Sequence, residues 1–262
     1  MMAPSTIMGI NNLPDAQKRE IYARLIPQPL VSRFNLNPEF IDKDGQQLLF
    51  LGCREGSPSL EISLKHQYDF PDPILYGHLT DTITRQIHIL LYILNDPDSP
   101  RYDVDRMPDG RPTVFGTRFR NLPAECAAME AGLAPGQIRR GLRMLMDAIL
   151  GFEIFIDSLE QTLFFAEPLY YHTAVLFERY GFAYQKGRKL MERIQTGFSP
   201  GGDLLRRLDQ STPFRNPEAA ERIRLRSWAI HDGLLGEPFT DVTMYKHVGK
   251  SANVNTSNDC AW

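Results

Sequence analysis

The chain has 262 residues, of which 42% are hydrophobic, and its formal net charge is -3 at pH 7. This size and apolar content suffice for one domain with a sizeable core and insertions, and the slight acidic excess argues against a nucleic-acid partner. The three cysteines are far apart and form no C-x-x-C pair, so neither a disulfide framework nor a cysteine zinc site is predicted.

The start of the sequence, Met1–Ile10, lacks the charged region and the apolar core of a signal peptide. No run approaches the ~18–20 apolar residues that cross a bilayer. We therefore expect a soluble, cytoplasmic protein without a membrane partner.

The first third of the chain predicts a helix followed by an antiparallel meander. The helix covers Asp15–Leu25 and is ended by Pro27. Strands are indicated by period-2 alternation, or by apolar runs between turn residues, over Gln47–Cys53, Leu60–His66, Ile74–Leu79 and Gln86–Leu94. The last of these is too apolar to lie at a sheet edge.

A polar segment then precedes a region of mixed helix and strand. Segment 96–122 is interpreted as an insertion that carries a small hairpin, Tyr102–Arg106 with Arg111–Phe115. Helical spacing is predicted over Pro123–Ala131 and Pro135–Leu150, and strands are predicted over Phe152–Ile156 and Thr162–Ala166.

The stretch Tyr170–Tyr180 predicts a short amphipathic helix, because Ala174 and Phe177 recur at helical spacing. Gly181 can take the left-handed conformation that closes a helix, and a strand follows at once over Phe182–Gln185. Beyond it the pattern is helical over 187–237, with Asn216 as the clearest N-cap. The last predicted strand is Thr240–Val248.

The end of that amphipathic helix resembles the last helix of the GNAT acyltransferase superfamily. The shared pattern is a glutamate and a basic residue, then any residue, then Gly-Phe, here Glu178–Phe182. The order of predicted elements is also similar. The resemblance implies an α+β fold with a GNAT-like mixed central sheet flanked by helices and a helical insertion before the last strand. It further implies one domain over 1–248, with insertions at 96–122 and 189–237 and a flexible tail at 249–262.

The chain departs from the family pattern within the helix, where Thr173 also replaces a common alanine, and in the phosphate loop. Tyr170 stands where the family commonly has an asparagine, and Phe177 stands where a tyrosine often protonates the departing thiolate. The segment Pro135–Leu142 does not fit the family's phosphate loop. The resemblance therefore implies an acyl-CoA-dependent N-acyltransferase with an unknown acceptor, or alternatively a catalytically degenerate GNAT-like protein that binds a small molecule or a partner. A helical metal- or cofactor-binding protein would require the meander to be wrong.

In the resembled family the acyl donor lies where two central strands splay apart, which here implies a site between Gln86–Leu94 and Thr162–Ala166. Strict alternation would place His88 and Tyr92 on one face of the first strand. His88 is the candidate general base, and Tyr92 is the candidate proton donor that replaces the missing tyrosine. The competing interpretation is that both side chains bond to covering elements.

Candidate residues for binding acetyl-CoA or another acyl-CoA lie in two groups. Arg139 and Arg140 are predicted in the first turn of a helix, where they could meet an anion, although surface arginines are the simpler interpretation. Tyr170, Tyr171 and His172 enter the family-like helix, and core packing explains them equally well.

The remaining sequence signals are weaker. No histidine spacing predicts a metal site. His231-Asp232 is interpreted as a helix C-cap rather than an acid–base pair. The sequence leaves homo-oligomerisation open.

Overall fold

The structure is a computed structural model that describes residues 4–114, 116, 118–258 and 260–262. The fold is α+β, with a mixed sheet of seven strands flanked by helices. The strands are β1 (Leu49–Gly52), β2 (Ser59–Leu64), β3 (Leu75–Asp81), β4 (Ile87–Leu94), β5 (Leu163–Ala166), β6 (Ala183–Lys186) and β7 (Thr243–His247). Their order in the sheet is β1-β2-β3-β4-β5-β7-β6.

The described residues also form nine α-helices and one 3-10 helix. The α-helices are α1 (Ile7–Asn11), α2 (Asp15–Ala23), α3 (Gln28–Arg33), α4 (Leu122–Glu130), α5 (Leu145–Ser158), α6 (Tyr171–Arg179), α7 (Arg188–Phe198), α8 (Asp203–Arg206) and α9 (Ile223–His231). The 3-10 helix is Pro217–Ala220. Within the described ranges, none of these helices is long and apolar enough to span a membrane.

The antiparallel meander is confirmed. β1, β2, β3 and β4 pair in sequence, each antiparallel to the next. β2 alternates buried and half-buried side chains along its length, which is the pattern of a strand with one covered face. β4 lies inside the sheet between β3 and β5, as its apolar content predicts.

The chain divides into two compact units. Unit 1 comprises Met1–Pro97, Gly141–Glu167 and Tyr245–Ser251, and unit 2 comprises Asp98–Arg140, Pro168–Met244 and Ala252–Trp262. In unit 1, the ring of Tyr22 on α2 lies 6.4 Å from that of Phe155 on α5, within a core that both residues share. In unit 2, the indole of Trp228 is fully buried, stacks on Phe214 and donates to the carbonyl of Leu133.

The helix predicted over Pro135–Leu150 and the strand predicted over Phe152–Ile156 are both wrong. One helix, α5, covers Leu145–Ser158 instead. Its buried residues, Ala148, Ile149, Phe152, Phe155 and Ile156, follow helical spacing. The segment before it is held differently, because the Leu142 N–H donates to the carbonyl of Leu94 at 3.3 Å and Gly141 bridges Asn95.

The helix predicted over Tyr170–Tyr180 and its glycine stop are confirmed. α6 ends at Arg179, and Gly181 has a φ of 83°. The N–H of Phe182 bonds back to the carbonyl of Phe177, and the two rings stack with centroids 4.9 Å apart. This is the closure that a left-handed residue after a helix produces.

The helical region before the last strand is confirmed, but its N-cap belongs to a separate turn. The Asn216 side chain accepts from the N–H of Glu218 and caps the 3-10 helix, and α9 begins only at Ile223. The segment after β7 makes contacts within unit 2, where Thr256 donates to the buried carboxylate of Glu178. The predicted hairpin contains one bridge, Arg106 with Pro112, and Phe115 lies outside the described residues.

Candidate functional site

Strands β4 and β5 of unit 1 are paired for only a short distance. They run parallel, and the described register comprises His88 with Phe165 and Ile89 with Ala166. The N–H of Glu167 then donates to the carbonyl of Ile89 at 3.0 Å. β5 ends at Ala166, whereas β4 continues to Leu94. The β4 edge over 90–94 therefore extends beyond its pairing with β5.

A β-bulge lies where this edge begins, and the Leu142 N–H bonds to the carbonyl of Leu94 at its other end. β4 pairs Ile89 with Leu79 and Leu91 with His78, so Leu90 is an extra residue in the ladder. A bulge bends its strand and re-aims the side chains that follow, and such irregularities are common beside active sites. The strict alternation expected along β4 is therefore broken at Leu90.

Tyr92 points toward α5. Its ring meets that of Phe152 edge-on at 5.0 Å, and Phe152 in turn stacks on Phe164 of β5. The Tyr92 hydroxyl donates to the carbonyl of Leu25 at 3.1 Å. Burial raises the pKa of Tyr92. The hydroxyl proton of Tyr92 therefore already forms a hydrogen bond in the interior of unit 1.

His88 lies on the opposite face of the sheet. Its ring contacts Phe165, with centroids 6.2 Å apart, and successive residues of a strand face opposite sides. Phe164 is on the Tyr92 side, so Phe165 and His88 are on the other. The prediction that His88 and Tyr92 share a face is wrong, because the bulge at Leu90 reverses the alternation between them.

The imidazole of His88 combines burial with an unsatisfied nitrogen. Its Nε2 is buried and has no hydrogen-bond partner among the described residues. The nearest charged atom recorded for it is Oε2 of Glu167, at 3.9 Å. Burial lowers the pKa of His88, and the Glu167 carboxylate partly opposes that shift. A neutral imidazole with a free nitrogen can accept a proton near neutral pH.

The arginines predicted to bind an anion lie in a loop of unit 2. Arg139 is buried and its guanidinium donates to the carbonyl of Ser99. Arg140 is exposed, and its guanidinium donates to the carbonyl of Ala131 at 3.3 Å. The prediction that they occupy the first turn of a helix is wrong, since this segment is non-helical and α5 starts later.

Tyr170, Tyr171 and His172 are brought together at the start of α6. The Tyr170 ring stacks on His172 at 5.7 Å and lies so close to Gly136 that a Cβ there would come within 2.5 Å of it. Burial raises the pKa of Tyr170. The Tyr171 hydroxyl accepts from Arg226 at 3.2 Å, and burial raises the pKa of Tyr171 to about 12.

His172 is buried with partners for both ring nitrogens. Nδ1 lies 2.9 Å from the hydroxyl of Ser227, and Nε2 lies 3.4 Å from the hydroxyl of Thr173. Burial lowers the pKa of His172 to about 3, and the positive charges of Arg224 and His231 act in the same direction. These contacts are those of a packed, neutral interior side chain.

The sequence does not predict a buried ionic cluster in unit 2. Glu125, only 2% exposed, accepts from Arg120, and Nε2 of His231 lies 3.5 Å from its other oxygen. Asp232 accepts from Arg120 at 2.8 Å, from Thr212 at 2.7 Å and from Arg215 at 3.3 Å.

Burial would raise the pKa of Glu125, but His231 and Arg120 hold that pKa below its usual value. Asp232 is also the C-cap residue of α9, as predicted. The carboxylate nearest His231 is therefore Glu125 and not its neighbour in sequence.

Neither a metal-binding arrangement among the described side chains nor a similarity to a known protein identifies the site. Within the described part of the chain, no group of three or more His, Cys, Asp or Glu side chains could hold a metal ion. No family model, curated protein or solved structure matches the chain.

Proposed function

We propose that this protein is a GNAT-like, acyl-CoA-dependent N-acyltransferase whose acyl donor lies along the β4 edge beyond the β4–β5 pairing. The observation that carries the proposal is the two-residue register between β4 and β5, followed by the β4 edge over 90–93, which ends where Leu142 bonds to Leu94. An extended ligand that contains amides can bond to such an edge as an added strand does. The arm of coenzyme A is a ligand of this kind.

The start of α5 supports a phosphate-binding role beside this edge. The bond from Leu142 to Leu94 ties the chain before α5 to the end of β4. α5 is 14 residues long, and its N-cap residue Met144 makes no side-chain hydrogen bond to the first turn. The free N–H groups of a helix N-terminus favour anions such as phosphate, and here they take the place of a glycine-rich loop.

His88 is the proposed general base. It removes a proton from the acceptor amine, whose nitrogen attacks the thioester carbonyl. The carbon–sulfur bond breaks, and the thiolate leaves with a proton. Tyr92 lies on the opposite face of the sheet with its hydroxyl bonded to Leu25, so the imidazolium formed on His88 returns the proton to the departing thiolate.

A second candidate function is to bind the ligand without transferring a group. It is favoured because neither residue considered as the acid, Phe177 or Tyr92, has a proton available. Phe177 has no proton to give and is stacked on Phe182. Tyr92 is engaged with a backbone carbonyl. A protein with the frame of the family and no acid near the leaving group would bind its ligand and release it unchanged.

Calorimetric titration with acetyl-CoA, followed by a thiol-release assay with a panel of amines, separates these functions. We expect the wild type to bind and to transfer, and His88→Ala to bind normally while losing transfer by roughly 10²-fold or more. His78→Ala is the matched control, since His78 lies on β3 and bonds to Ser59, and it should transfer as the wild type does. Binding without transfer by the wild type supports the second function, and no binding at all contradicts both.

A further inference from the structure

The face of the sheet that carries His88 is lined by a row of aromatic rings. The ring of Phe165 on β5 lies 6.2 Å from that of His88 and 6.4 Å from that of Tyr245 on β7. The row ends at His247, whose ring lies 5.6 Å from that of Tyr245. Alternate residues of a strand share a face, so both of these β7 rings are on the same side. The row therefore crosses β4, β5 and β7, which are neighbours in the sheet.

This aromatic row is not part of the core of unit 1. α5 packs against the other face of the sheet, where its Glu153 pairs with the buried Lys246 of β7 at 3.0 Å. On the face that carries the row, Phe165 and Tyr245 are only half-buried and His247 is exposed. Small-molecule sites are lined mainly by apolar and aromatic side chains, with a few polar groups that fix the orientation of the ligand. The aromatic row has the composition of such a site.

One carboxylate lies at the His88 end of the aromatic row. Glu167 follows β5 directly, and its N–H bonds to the carbonyl of Ile89, so it continues the pairing of the two strands. Being two residues after Phe165, it lies on the same face. Its Oε2 is 3.9 Å from Nε2 of His88, and its side chain is 47% exposed. The row therefore has an anionic end, beside the proposed base, and an aromatic end further along β7.

We propose that the aromatic row binds the acyl acceptor, and that this acceptor is an amine attached to an aromatic ring. Its ammonium group is attracted to Glu167, and its ring packs against Phe165 and Tyr245, because paired aromatic rings stabilise a contact beyond the area they bury. The inference rests on the proposed acyl transfer for the fate of the amine. The bound ammonium loses one proton to water, and His88 takes a second proton as the nitrogen attacks the thioester. That second proton goes to the departing thiolate.

The two ends of the row together select this class of ligand. A simple alkylamine satisfies the carboxylate of Glu167 but leaves the rings uncovered, and an aromatic alcohol covers the rings but brings no charge. An aromatic amino acid has both groups, but its own carboxylate comes next to Glu167. Like charges placed together suppress binding of the wrong partner. The acceptor is therefore an aromatic amine without an adjacent carboxylate.

Calorimetric titration of the protein with 2-phenylethylamine, without acyl-CoA, tests the site independently of transfer. We expect tighter binding of this amine than of n-butylamine, 2-phenylethanol or phenylalanine. Glu167→Gln should weaken 2-phenylethylamine about threefold, as expected for a partly exposed charge pair, and should leave 2-phenylethanol unchanged. Glu160→Gln is the matched control, because Glu160 is exposed and precedes β5. No binding of 2-phenylethylamine, or equal weakening by the two substitutions, overturns the inference.

Transfer kinetics test the role of the rings. Tyr245→Leu should raise KM for 2-phenylethylamine about fivefold with kcat kept, because an aromatic pair is lost, and KM for n-butylamine should not change. Tyr245→Phe keeps the ring and should behave as the wild type does. A wild type with equal KM for both amines, or a Tyr245→Leu variant that lowers kcat alone, overturns the inference and leaves acyl transfer standing. Binding of 2-phenylethylamine that depends on Glu167, without any transfer, supports the amine site and contradicts the proposed function.

Discussion

Two histidines, the half-buried His88 of unit 1 and the buried His172 of unit 2, differ in how their ring nitrogens are satisfied. Burial lowers the pKa of both imidazoles. His172 has a hydroxyl partner at each nitrogen, whereas Nε2 of His88 has none within the described chain. Buried polar atoms are almost always hydrogen-bonded, so an exception calls for an explanation. The difference shows His172 as a satisfied interior side chain, and it supports the proposal that His88 acts in the reaction.

The same contrast extends to the surroundings of each histidine. In unit 2, Glu125 and Asp232 have cationic or hydroxyl partners for their oxygens. In unit 1, the only charged group recorded beside His88 among the described residues is Glu167, which is 47% exposed and 3.9 Å away. A network in which every polar group is hydrogen-bonded rigidifies a core. A buried polar atom without a hydrogen-bond partner is more typical of a ligand-binding site.

The largest effect is expected from breaking the satisfied network of unit 2. Glu125→Ala removes a buried carboxylate, leaves the half-buried guanidinium of Arg120 with one of its two carboxylate partners, and removes the partner of His231. Removing one member of a buried pair is strongly destabilising, so we expect a loss of about 3 kcal/mol in the free energy of unfolding, measured by urea titration. Glu192→Ala is the control, because it breaks an exposed pair with Arg188 and should cost at most about 0.5 kcal/mol. Equal effects of the two substitutions would contradict the structural role of the cluster.

The next largest loss of stability is expected when the pH is lowered and His172 becomes harder to keep neutral. The folded-state pKa of His172 is about 3 and the unfolded value is near 6.5, so the unfolded chain binds the proton more readily between these values. The stability that the neutral imidazole contributes is therefore complete above about pH 6.5 and is lost progressively as the pH falls from there toward 3.

The variant His172→Leu tests how much His172 contributes to stability and to the dependence of stability on pH. It should destabilise the protein by about 1–3 kcal/mol at pH 7, because Ser227 loses its buried partner. It should also reduce the change in urea midpoint between pH 7 and pH 5. A wild type whose midpoint is the same at both values would show that His172 is protonated in the folded state.

A smaller loss of stability is expected from substituting Tyr92, and it tests the hydrogen bond that the Tyr92 hydroxyl makes in unit 1. Tyr92→Phe keeps the edge-on contact with Phe152 but removes the donor to Leu25, so a loss of about 1 kcal/mol is expected in urea unfolding. Tyr68→Phe, at an exposed tyrosine, should change nothing. If Tyr92→Phe abolishes acyl transfer without affecting stability, its hydroxyl serves the reaction and not the fold.

The sequence predicts those parts of the fold whose signals are local. The meander follows from alternation and turn residues, and the end of α6 follows from Gly181. α1 was not predicted, because the carboxylate of Asp81, some seventy positions away, accepts from the N–H groups of Ile7 and Met8. The boundaries of α5 were predicted wrongly, because an almost unbroken apolar run is compatible with several helix boundaries. The bond from Leu142 to Leu94 is not visible in the sequence.

The candidate site is predicted in part. His88 and the strand pair that carries it were identified from the resemblance and from a polar residue in an apolar strand. Its separation from Tyr92 was not, because a β-bulge at Leu90 has no sequence signature among leucines and isoleucines. The pairing of Arg120 with Asp232 joins residues 112 positions apart, and a single sequence carries no signal for it.

The smallest change in stability, and the sharpest test of the comparison, is expected from His88→Leu. Leucine fills a similar volume beside Phe165 and has no polar atom to satisfy, so the buried unpaired Nε2 disappears. Replacing an unsatisfied buried polar group by an apolar one is neutral or stabilising, and we expect a change between zero and a gain of about 1 kcal/mol. Glu167 loses little, because its exposed carboxylate remains in water and a partly exposed pair is weak.

Active-site residues commonly reduce stability in this way, since they are retained for function. His172→Leu is the matched substitution in unit 2, where the same change should be clearly destabilising. If urea unfolding shows that His88→Leu costs as much as His172→Leu, then His88 is held by partners in the fold, and its role as the base of an acyl-transfer reaction loses its physical ground.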